Sequence, residues 1–334
     1  MKDVYILGIE SSCDETSASI VKNGTEEVST VISSQIDIHS DFGGVVPEIA
    51  SRQHVKNITM VIEETLTKAN LTMKNIDAIA LTYGPGLIGS LLIGIEAAKT
   101  LSLAHNIPLV PIHHITGHIY SNNLLKELEF PLLALIISGG HTELIYMPDR
   151  FTFEILGGTL DDAVGECYDK VARVVGIGYP GGPKIDKLAQ SGKHSYNLPI
   201  PMNDGSYNFS FSGLKSAVIN LHHKEAQKSK TLIKEDLARS FQDVIVEILA
   251  IKTSKALDEK QVKRFVIAGG VAANSDIRLK MQEIADEKGI EFICPPLKYC
   301  TDNAAMIASA GYYYFMDNRS SDISLEAKSN DKIK

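Results

Sequence analysis

The feature that most constrains the fold is a pattern that occurs twice: an apolar run, a short polar or glycine turn, and a second apolar run. It spans residues 4–21, with the turn SSCDET, and residues 130–147, with the turn ISGGHT. Each copy predicts two strands joined by a tight turn, and a further strand is predicted after each, at residues 27–33 and 151–156. Between these runs apolar residues recur at helical spacing, as over residues 48–69. The sequence therefore predicts an α/β protein with two similarly built halves.

The length of the chain allows each half its own core. With 334 residues, 44% of them hydrophobic, the chain can bury a substantial core and is long enough for two domains. We expect an N-terminal lobe over residues 1–120 and a C-terminal lobe over residues 121–319. The last predicted helix, about residues 302–317, can pack back on the N-terminal lobe. The polar tail that follows it, residues 320–334, is expected to fray.

Charge, cysteine spacing and hydropathy exclude several classes of protein. The net charge of -8 argues against a protein that coats nucleic acid by itself, because affinity for phosphate backbones comes largely from Lys and Arg. The four cysteines lie far apart without a CxxC pair, which argues against a disulfide framework and a zinc ribbon. Neither a long uncharged apolar run nor a basic leader with a cleavage site is visible. We therefore expect a cytoplasmic protein with reduced thiols.

Residues 113–118, HHITGH, place three histidines directly after the apolar run IPLVPI. If the segment after Pro111 is helical, His114 and His118 project from one face one turn apart, whereas His113 points elsewhere. That geometry can hold a metal. An HxxxH spacing alone is, however, more often a pair of hydrogen-bonded core residues. The spacing by itself favours the core interpretation and leaves a metal site as the alternative.

Three turns at predicted strand ends have the composition of phosphate-binding turns. They are SSCDET, ISGGHT and AGGVAAN. Short polar and glycine turns let backbone N–H groups approach phosphate oxygens, and the N-terminus of a following helix adds its positive end. Each turn alone could equally be a tight connection. Together they favour a nucleotide held in a cleft between two lobes.

Eight motifs, in order from about residue 5 to residue 315, carry a resemblance to one family. They are GIESSCDET, YGPGLIGSLLIG, HHITGH, ISGGHTEL, YPGGP, FSFSGLK, IAGGVAAN and CTDNAAMIA. In combination they resemble the bacterial type of the TsaD family, the tRNA adenosine threonylcarbamoyltransferases, formerly described as O-sialoglycoprotein endopeptidases. The resemblance implies the two-lobed actin-like ATPase fold of sugar kinases and large heat-shock chaperones, an α/β fold with a cleft between the lobes.

The resemblance also implies an activity and a set of partners. The enzyme would transfer the threonylcarbamoyl group of threonylcarbamoyl-AMP to the exocyclic amine of the adenosine 3′ of the anticodon, in tRNAs that read codons beginning with A. Besides tRNA, the expected partners are a paralogous, TsaB-like actin-fold subunit and a small, TsaE-like ATPase. A separate threonylcarbamoyl-AMP synthase would supply the donor, and no membrane is involved.

The family's metal ligands match His114, His118 and Asp302 of this sequence. Without the resemblance, Asp302 would be interpreted as the N-cap of the last helix. Two imidazoles and a carboxylate suit one divalent metal, iron(II) in the first place and zinc as the alternative, and leave coordination positions open. We assign no side chain as general acid or base, because a metal on the carbamate can serve as Lewis acid and template.

The family's contacts to the donor, or to ATP, ADP or AMP in the same cleft, match a second set of residues. These are Ile137, Ser138, Gly139, Gly140, His141, Asp169, Gly182, Asp186 and Asn274. The glycine turn would offer N–H groups to the phosphate and acyl groups, and the two aspartates would lie around the ribose and adenine. Asn274 would reach the nucleotide from the other side, its alternative being a helix N-cap.

Two other functions would leave a similar sequence. A zinc endopeptidase of the HExxH kind needs a glutamate beside the first histidine, and Ile115 occupies that position here. A nucleotide-dependent switch or binding subunit would share the fold but have its chemistry elsewhere. The roles of Glu10 and Glu15, near the first turn, stay open.

Overall fold

The computed structural model of the protein describes residues 2–227 and 232–333. The chain forms two compact units: the first is Met1–Leu128 together with Pro295–Lys334, and the second is Glu129–Cys294. The chain thus leaves the first unit once and returns to it. Among the described residues, no helix combines the length and the apolar character that crossing a membrane requires.

The first unit is built on a sheet of mixed direction. Its strands are β1 (Tyr5–Glu10), β2 (Glu15–Lys22), β3 (Glu26–Ser34), β4 (Ala78–Gly84) and β5 (Leu109–His113). Within the described residues their order is β3-β2-β1-β4-β5. The central strand β1 is antiparallel to β2 and parallel to β4. Its apolar side chains are buried whichever face they point to, which is the pattern expected where helices cover both faces of a sheet.

Helices cover this sheet. They are α1 (Ile36–Ser40), α2 (Pro47–Ala69), α3 (Ile88–His105), α4 (His114–Tyr120) and α10 (Ala304–Met316), with short helical turns at Met73–Asn75, Ser121–Leu124 and Leu297–Tyr299. Local sequence sets the ends of α2 and α3. Pro47 occupies the first turn of α2, and Asn70 and Asn106 follow the two helices in the left-handed conformation. Both helices bury an apolar face against the sheet, including Ile62 and Ile95.

The last helix, α10, lies unusually close to β1 and β4. A Cβ atom on Gly8 would be 2.3 Å from the Ala304 carbonyl oxygen, and one on Gly311 would be 2.4 Å from the Ala80 Cβ. Helix α10 also meets α4, where a Cβ on Gly117 would be 2.5 Å from Ile307 Cδ1. Glycines thus allow this helix to dock against two strands and a second helix.

The second unit repeats the arrangement of the first. Its strands are β6 (Leu132–Ile137), β7 (Thr142–Asp149), β8 (Thr152–Gly158), β9 (Arg264–Ala268) and β10 (Glu291–Ile293). Among the described residues their order is β10-β9-β6-β7-β8, with β6 antiparallel to β7 and parallel to β9. The similarity of the two halves that the sequence predicts is therefore confirmed. The helices are α5 (Val164–Val174), α6 (Gly181–Ala189), α7 (Ser212–Gln227), α8 (Lys234–Glu259) and α9 (Ser275–Lys288), with a helical turn at Gly270–Ala273.

The expectation that the polar C-terminal segment frays is wrong for its described part. The Ser321 N–H donates to the Leu109 carbonyl at 2.8 Å, and the Lys328 N–H donates to the Tyr83 carbonyl at 2.9 Å. The Tyr83 hydroxyl donates to the Asp331 carboxylate at 2.9 Å. Composition predicted fraying because the side chains are polar. The segment is held instead by hydrogen bonds to the edge strand β5 and to the end of β4, which composition does not report.

We predict that Ile333→Ala lowers the stability of the first unit by about 2 to 4 kcal/mol, because it removes buried apolar volume. Ile333 is 6% exposed, whereas Ile323 in the same segment is 50% exposed. The matched control Ile323→Ala should cost less than about 0.5 kcal/mol. Chemical denaturation of both variants measures the difference, and equal costs would show that the segment does not dock as described.

Candidate metal centre and nucleotide-binding residues

The structure brings His114, His118 and Asp302 together within the first unit. The two histidines lie one turn apart on α4, and Asp302 directly precedes α10. One ligand atom from each of the three residues can be chosen so that all lie within 4.8 Å of one another. The Asp302 Oδ1 atom is 3.1 Å from His118 Nε2 and 3.6 Å from His114 Nε2. The alternative role of Asp302 as N-cap is wrong, because the side chain of Asn303 caps α10.

The environment of His118 tests whether this group suits a metal. The side chain is buried, and among the described residues neither ring nitrogen has a hydrogen-bond partner. Its Nε2 atom is close to Asp302 but lacks the geometry of a hydrogen bond to it. A buried polar atom without a partner is costly. Two imidazoles and a carboxylate that converge on one point are the donor set that zinc and iron(II) accept.

Glu10, at the end of β1, contacts His114 at Nδ1, the ring nitrogen on the side away from Asp302. The Glu10 carboxylate is fully buried, accepts hydrogen bonds from the Ser12 N–H at 2.6 Å and the Thr82 hydroxyl at 2.5 Å, and lies 3.3 Å from His114 Nδ1. Burial disfavours the charged imidazole, but the Asp302 and Glu10 carboxylates outweigh it and raise the pKa of His114 to about 9. A carboxylate on the far nitrogen of a ligand histidine orients the ring. The sequence left the role of Glu10 open. The feature that could have indicated a role is an acidic residue at the end of an apolar strand.

His113 lies elsewhere, as helical spacing predicts. Its Nδ1 atom accepts from the Ile115 N–H at 3.2 Å and so caps α4, and its Nε2 atom is 3.2 Å from the Asp331 carbonyl oxygen. Burial lowers the pKa of His113 to about 4. Glu15 on β2 is also buried, and burial together with the neighbouring Asp14 carboxylate raises its pKa to about 10. These residues surround the candidate ligands without belonging to the group.

The remaining predicted site residues lie in the second unit. Ser138 to His141 form the turn after β6, closed by a hydrogen bond from the Ser138 N–H to the His141 carbonyl at 2.8 Å. Gly139 and Gly140 are exposed, and apart from the adjacent residues no described heavy atom lies within 4 Å of a Cβ built on either. Gly165 of α5 packs against the turn, where its own Cβ would be 2.6 Å from the Ser138 carbonyl oxygen. The backbone at Gly139 and Gly140 is therefore open to the approach of a ligand.

Asp169 and Asp186 both contact the start of a helix. The Asp169 carboxylate accepts the Gly181 N–H at 2.6 Å, at the N-terminus of α6. Burial raises the pKa of Asp169 above its usual value, although the Gly181 and Gly182 N–H groups oppose this. Asp186 accepts the Ser275 hydroxyl at 2.9 Å, at the start of α9. Gly182 has open space beside it, so a planar group can approach its backbone.

Asn274 has the capping role that the sequence offered as its alternative. Its Oδ1 atom accepts the N–H groups of Asp276 at 3.1 Å and Ile277 at 3.0 Å. Its Nδ2 atom donates to the side chain of Gln242 at 2.8 Å. Gln242, which the sequence analysis did not single out, also donates to Asp186 at 2.9 Å. The predicted residues Asp186 and Asn274 therefore share one hydrogen-bond network.

Comparison with known proteins identifies relatives over most of the chain. The family model described as tRNA N6-adenosine threonylcarbamoyltransferase matches residues 26–309. Curated proteins of that name are 58% identical in Bacillus subtilis, over 94% of this chain and 91% of the relative, and 53% identical in Staphylococcus haemolyticus, over 98% and 96%.

Solved structures with the same fold are more distant in sequence. Full-length HypF in its phosphate- and nucleotide-bound form aligns with a TM-score of 0.59 at 13% identity, over 98% of this chain and 47% of that one. Component A of (R)-2-hydroxyglutaryl-CoA dehydratase from Acidaminococcus fermentans aligns with a TM-score of 0.55 at 15% identity, over 93% and 98%. These likenesses establish the actin-like ATPase fold.

We predict that Gly165→Ala costs about 1 to 3 kcal/mol of stability, because the new methyl group forces the Ser138–His141 turn to move. Gly213 occupies the same second position of a helix, in α7, and apart from the adjacent residues and the nearby backbone of its own helix no described heavy atom lies within 4 Å of its Cβ position. The control Gly213→Ala should therefore be neutral or stabilise by up to about 1 kcal/mol. Thermal unfolding of both variants distinguishes them, and a neutral Gly165→Ala would contradict the tight packing of the turn.

Proposed function

Because this chain belongs to the tRNA N6-adenosine threonylcarbamoyltransferase family, we propose that it carries out the transfer with one divalent metal held by His114, His118 and Asp302. The chain is an acyltransferase that modifies adenosine in tRNA. The proposal concerns how it does so: which residues hold the metal and the donor, and which partners it needs. Its place of action would be the cytoplasm.

One observation supports the metal above the others: both ring nitrogens of buried His118 lack a hydrogen-bond partner among the described residues. A core histidine would satisfy at least one of them, as His54 does with the Thr16 hydroxyl at 2.7 Å. Iron(II) is the first candidate and zinc the second, since both accept imidazole and carboxylate ligands.

The chemistry explains why a metal is useful. The adenosine N6 amine is a poor nucleophile, because its lone pair is delocalised into the ring. In the proposed reaction this nitrogen attacks the carbamoyl carbon of threonylcarbamoyl-AMP, the bond from that carbon to the phosphate oxygen breaks, and AMP and a proton leave. A bound metal would supply Lewis-acid activation of the electrophile and a template for it.

The chain's own residues would bind the donor and orient the metal ligands. Glu10 holds the His114 ring through Nδ1, so that Nε2 faces Asp302. In the second unit, the Gly139 and Gly140 N–H groups would bind the anionic part of the donor. Asp169 and Asp186, with Gly182, would take the ribose and adenine, and Asn274 would lie beside them. ATP, ADP or AMP would occupy the same place.

The two alternative functions are not favoured. An endopeptidase would need a general base next to His114, and Ile115 is a buried aliphatic residue. The relatives named for the transferase reaction also span nearly the whole chain.

We further propose that the chain acts with a TsaB-like subunit and a TsaE-like ATPase, and receives its donor from a separate synthase. A net charge of -8 provides little long-range attraction for tRNA, so other subunits would have to contribute basic surface. Helices α2 and α3 lie side by side near their N-terminal ends, since a Cβ on Gly89 would be 3.2 Å from the Ser51 Cβ. The exposed apolar residues near them, Val55, Ile88 and Leu92, offer a docking face for the subunit.

The metal is tested by elemental analysis of protein purified without oxygen. Wild type should contain about one iron or zinc per chain, and His118→Ala should contain far less, because it removes one of only a few ligands. The matched control is His105→Ala, an exposed histidine at the end of α3, which should keep the metal. A folded His118→Ala with undiminished metal would remove this site from the mechanism.

The partners are tested by counting modified nucleosides after mixing the chain, threonylcarbamoyl-AMP and unmodified tRNA, with and without both partner proteins. We expect product only in the complete mixture. Leu92→Glu should reduce it about tenfold or more by placing a charge in the docking face. Leu279 on α9 is also exposed, and Leu279→Glu should have little effect. Full turnover by the isolated chain would refute partner dependence.

A further inference from the structure

A fully buried glutamine on α8 connects the residues to which the proposed function assigns the nucleotide. The Gln242 side-chain nitrogen donates to Asp186 of α6 at 2.9 Å and to Asp276 in the first turn of α9 at 2.6 Å. Its oxygen accepts from the Asn274 amide at 2.8 Å and from the Tyr168 hydroxyl of α5 at 3.4 Å. One amide thus contacts elements that are distant in sequence.

No other side chain can make this set of hydrogen bonds. An amide has two N–H donors and an oxygen with two acceptor positions, and here all of them are used. Glutamate in the same place would present a carboxylate to two carboxylates, and methionine would offer nothing to the Asn274 and Tyr168 donors. The arrangement therefore depends on the amide group and not only on its volume.

The network determines how Asp186 and Asn274 face their surroundings. Asn274 uses its oxygen to cap α9, so its nitrogen must point toward Gln242. Asp186 is held at one oxygen by Gln242 and the Ser275 hydroxyl. Charged neighbours balance the site: Arg239, one turn before Gln242, pairs with Asp276 at 2.7 Å and also with Asp243.

We propose that Gln242 is a positioning residue for the nucleotide part of the donor. It acts through Asp186 and Asn274, which it orients, and it does not touch the substrate. The proposal rests on the proposed function, since it presumes that these two residues bind the nucleotide. It adds a residue on α8, outside the glycine turns and their neighbouring helices, on which affinity for the adenylate depends.

The test compares Gln242→Glu and Gln242→Met by calorimetric titration with AMP at about pH 8 and about pH 6. At the higher pH both variants should bind AMP about tenfold more weakly than wild type, the effect of losing hydrogen bonds to charged or polar buried groups. Burial and the neighbouring carboxylates of Asp186 and Asp276 favour the neutral form of a glutamate here. On acidification it would gain a proton and donate to one of the two carboxylates, so the Glu variant should recover part of its loss relative to wild type. The Met variant should keep the same ratio to wild type at both pH values.

Steady-state kinetics in the complete mixture provide the second readout. For both variants KM for threonylcarbamoyl-AMP should rise, while kcat and the KM for tRNA stay within about twofold of wild type. The matched control is Gln282→Glu: Gln282 on α9 also donates to an aspartate, Asp286, at 2.8 Å, but on the surface. The same change of charge there should leave AMP affinity within about twofold.

Asp169→Ala separates the two possible failures. If it weakens AMP binding while both Gln242 variants bind as wild type does, the role of Gln242 is refuted and the nucleotide site stands. If Asp169→Ala binds AMP as tightly as wild type, the nucleotide site itself is misassigned, and the role of Gln242 falls with it. A variant that only unfolds at lower temperature, with unchanged affinity, would mean that Gln242 serves stability alone.

Discussion

The first unit depends on the close approach of its last helix to the sheet. Helix α10 can lie against β1 and β4 only because Gly8 and Gly311 have no side chain at the contact, and against α4 only because Gly117 has none. A methyl group at any of these positions would push the helix away by overlap with backbone or buried side chains. This docking also determines the candidate site, because Asp302 is carried to the histidines of α4 by the start of α10.

Carboxylates lie on two sides of the His114 ring. Glu10 is buried and lies next to His114 Nδ1. Asp302 lies next to the Nε2 atoms of both His114 and His118. A divalent cation held by these ligands would be surrounded by carboxylates that offset its charge. The hydrogen bonds that Glu10 receives from Ser12 and Thr82 account for how one of them is kept in place.

The two units share one strand order but differ in the residues at the turn after the central strand. In the first, Glu10 at the end of the central strand and Ser12 in the turn after it contact His114. In the second, the corresponding turn, Ser138 to His141, is glycine-rich and packs on Gly165, with Gly139 and Gly140 exposed. A shared topology therefore places its turns at equivalent positions, and the residues in each turn decide the chemistry.

The sequence by itself determined the α/β class, the repeated arrangement of strands and the helical spacing of His114 and His118, because periodicity and turn composition are local properties. Resemblance to a family added Asp302, which no local pattern distinguishes from a helix cap. Only the tertiary structure decided that Asn303 is the cap, that Glu10 lies behind His114, that Gln242 joins Asp186 to Asn274, and that the polar C-terminal segment docks. Each of these depends on contacts between residues far apart in the chain, and the free energy of such contacts is set by packing and by buried hydrogen bonds that composition and spacing do not encode.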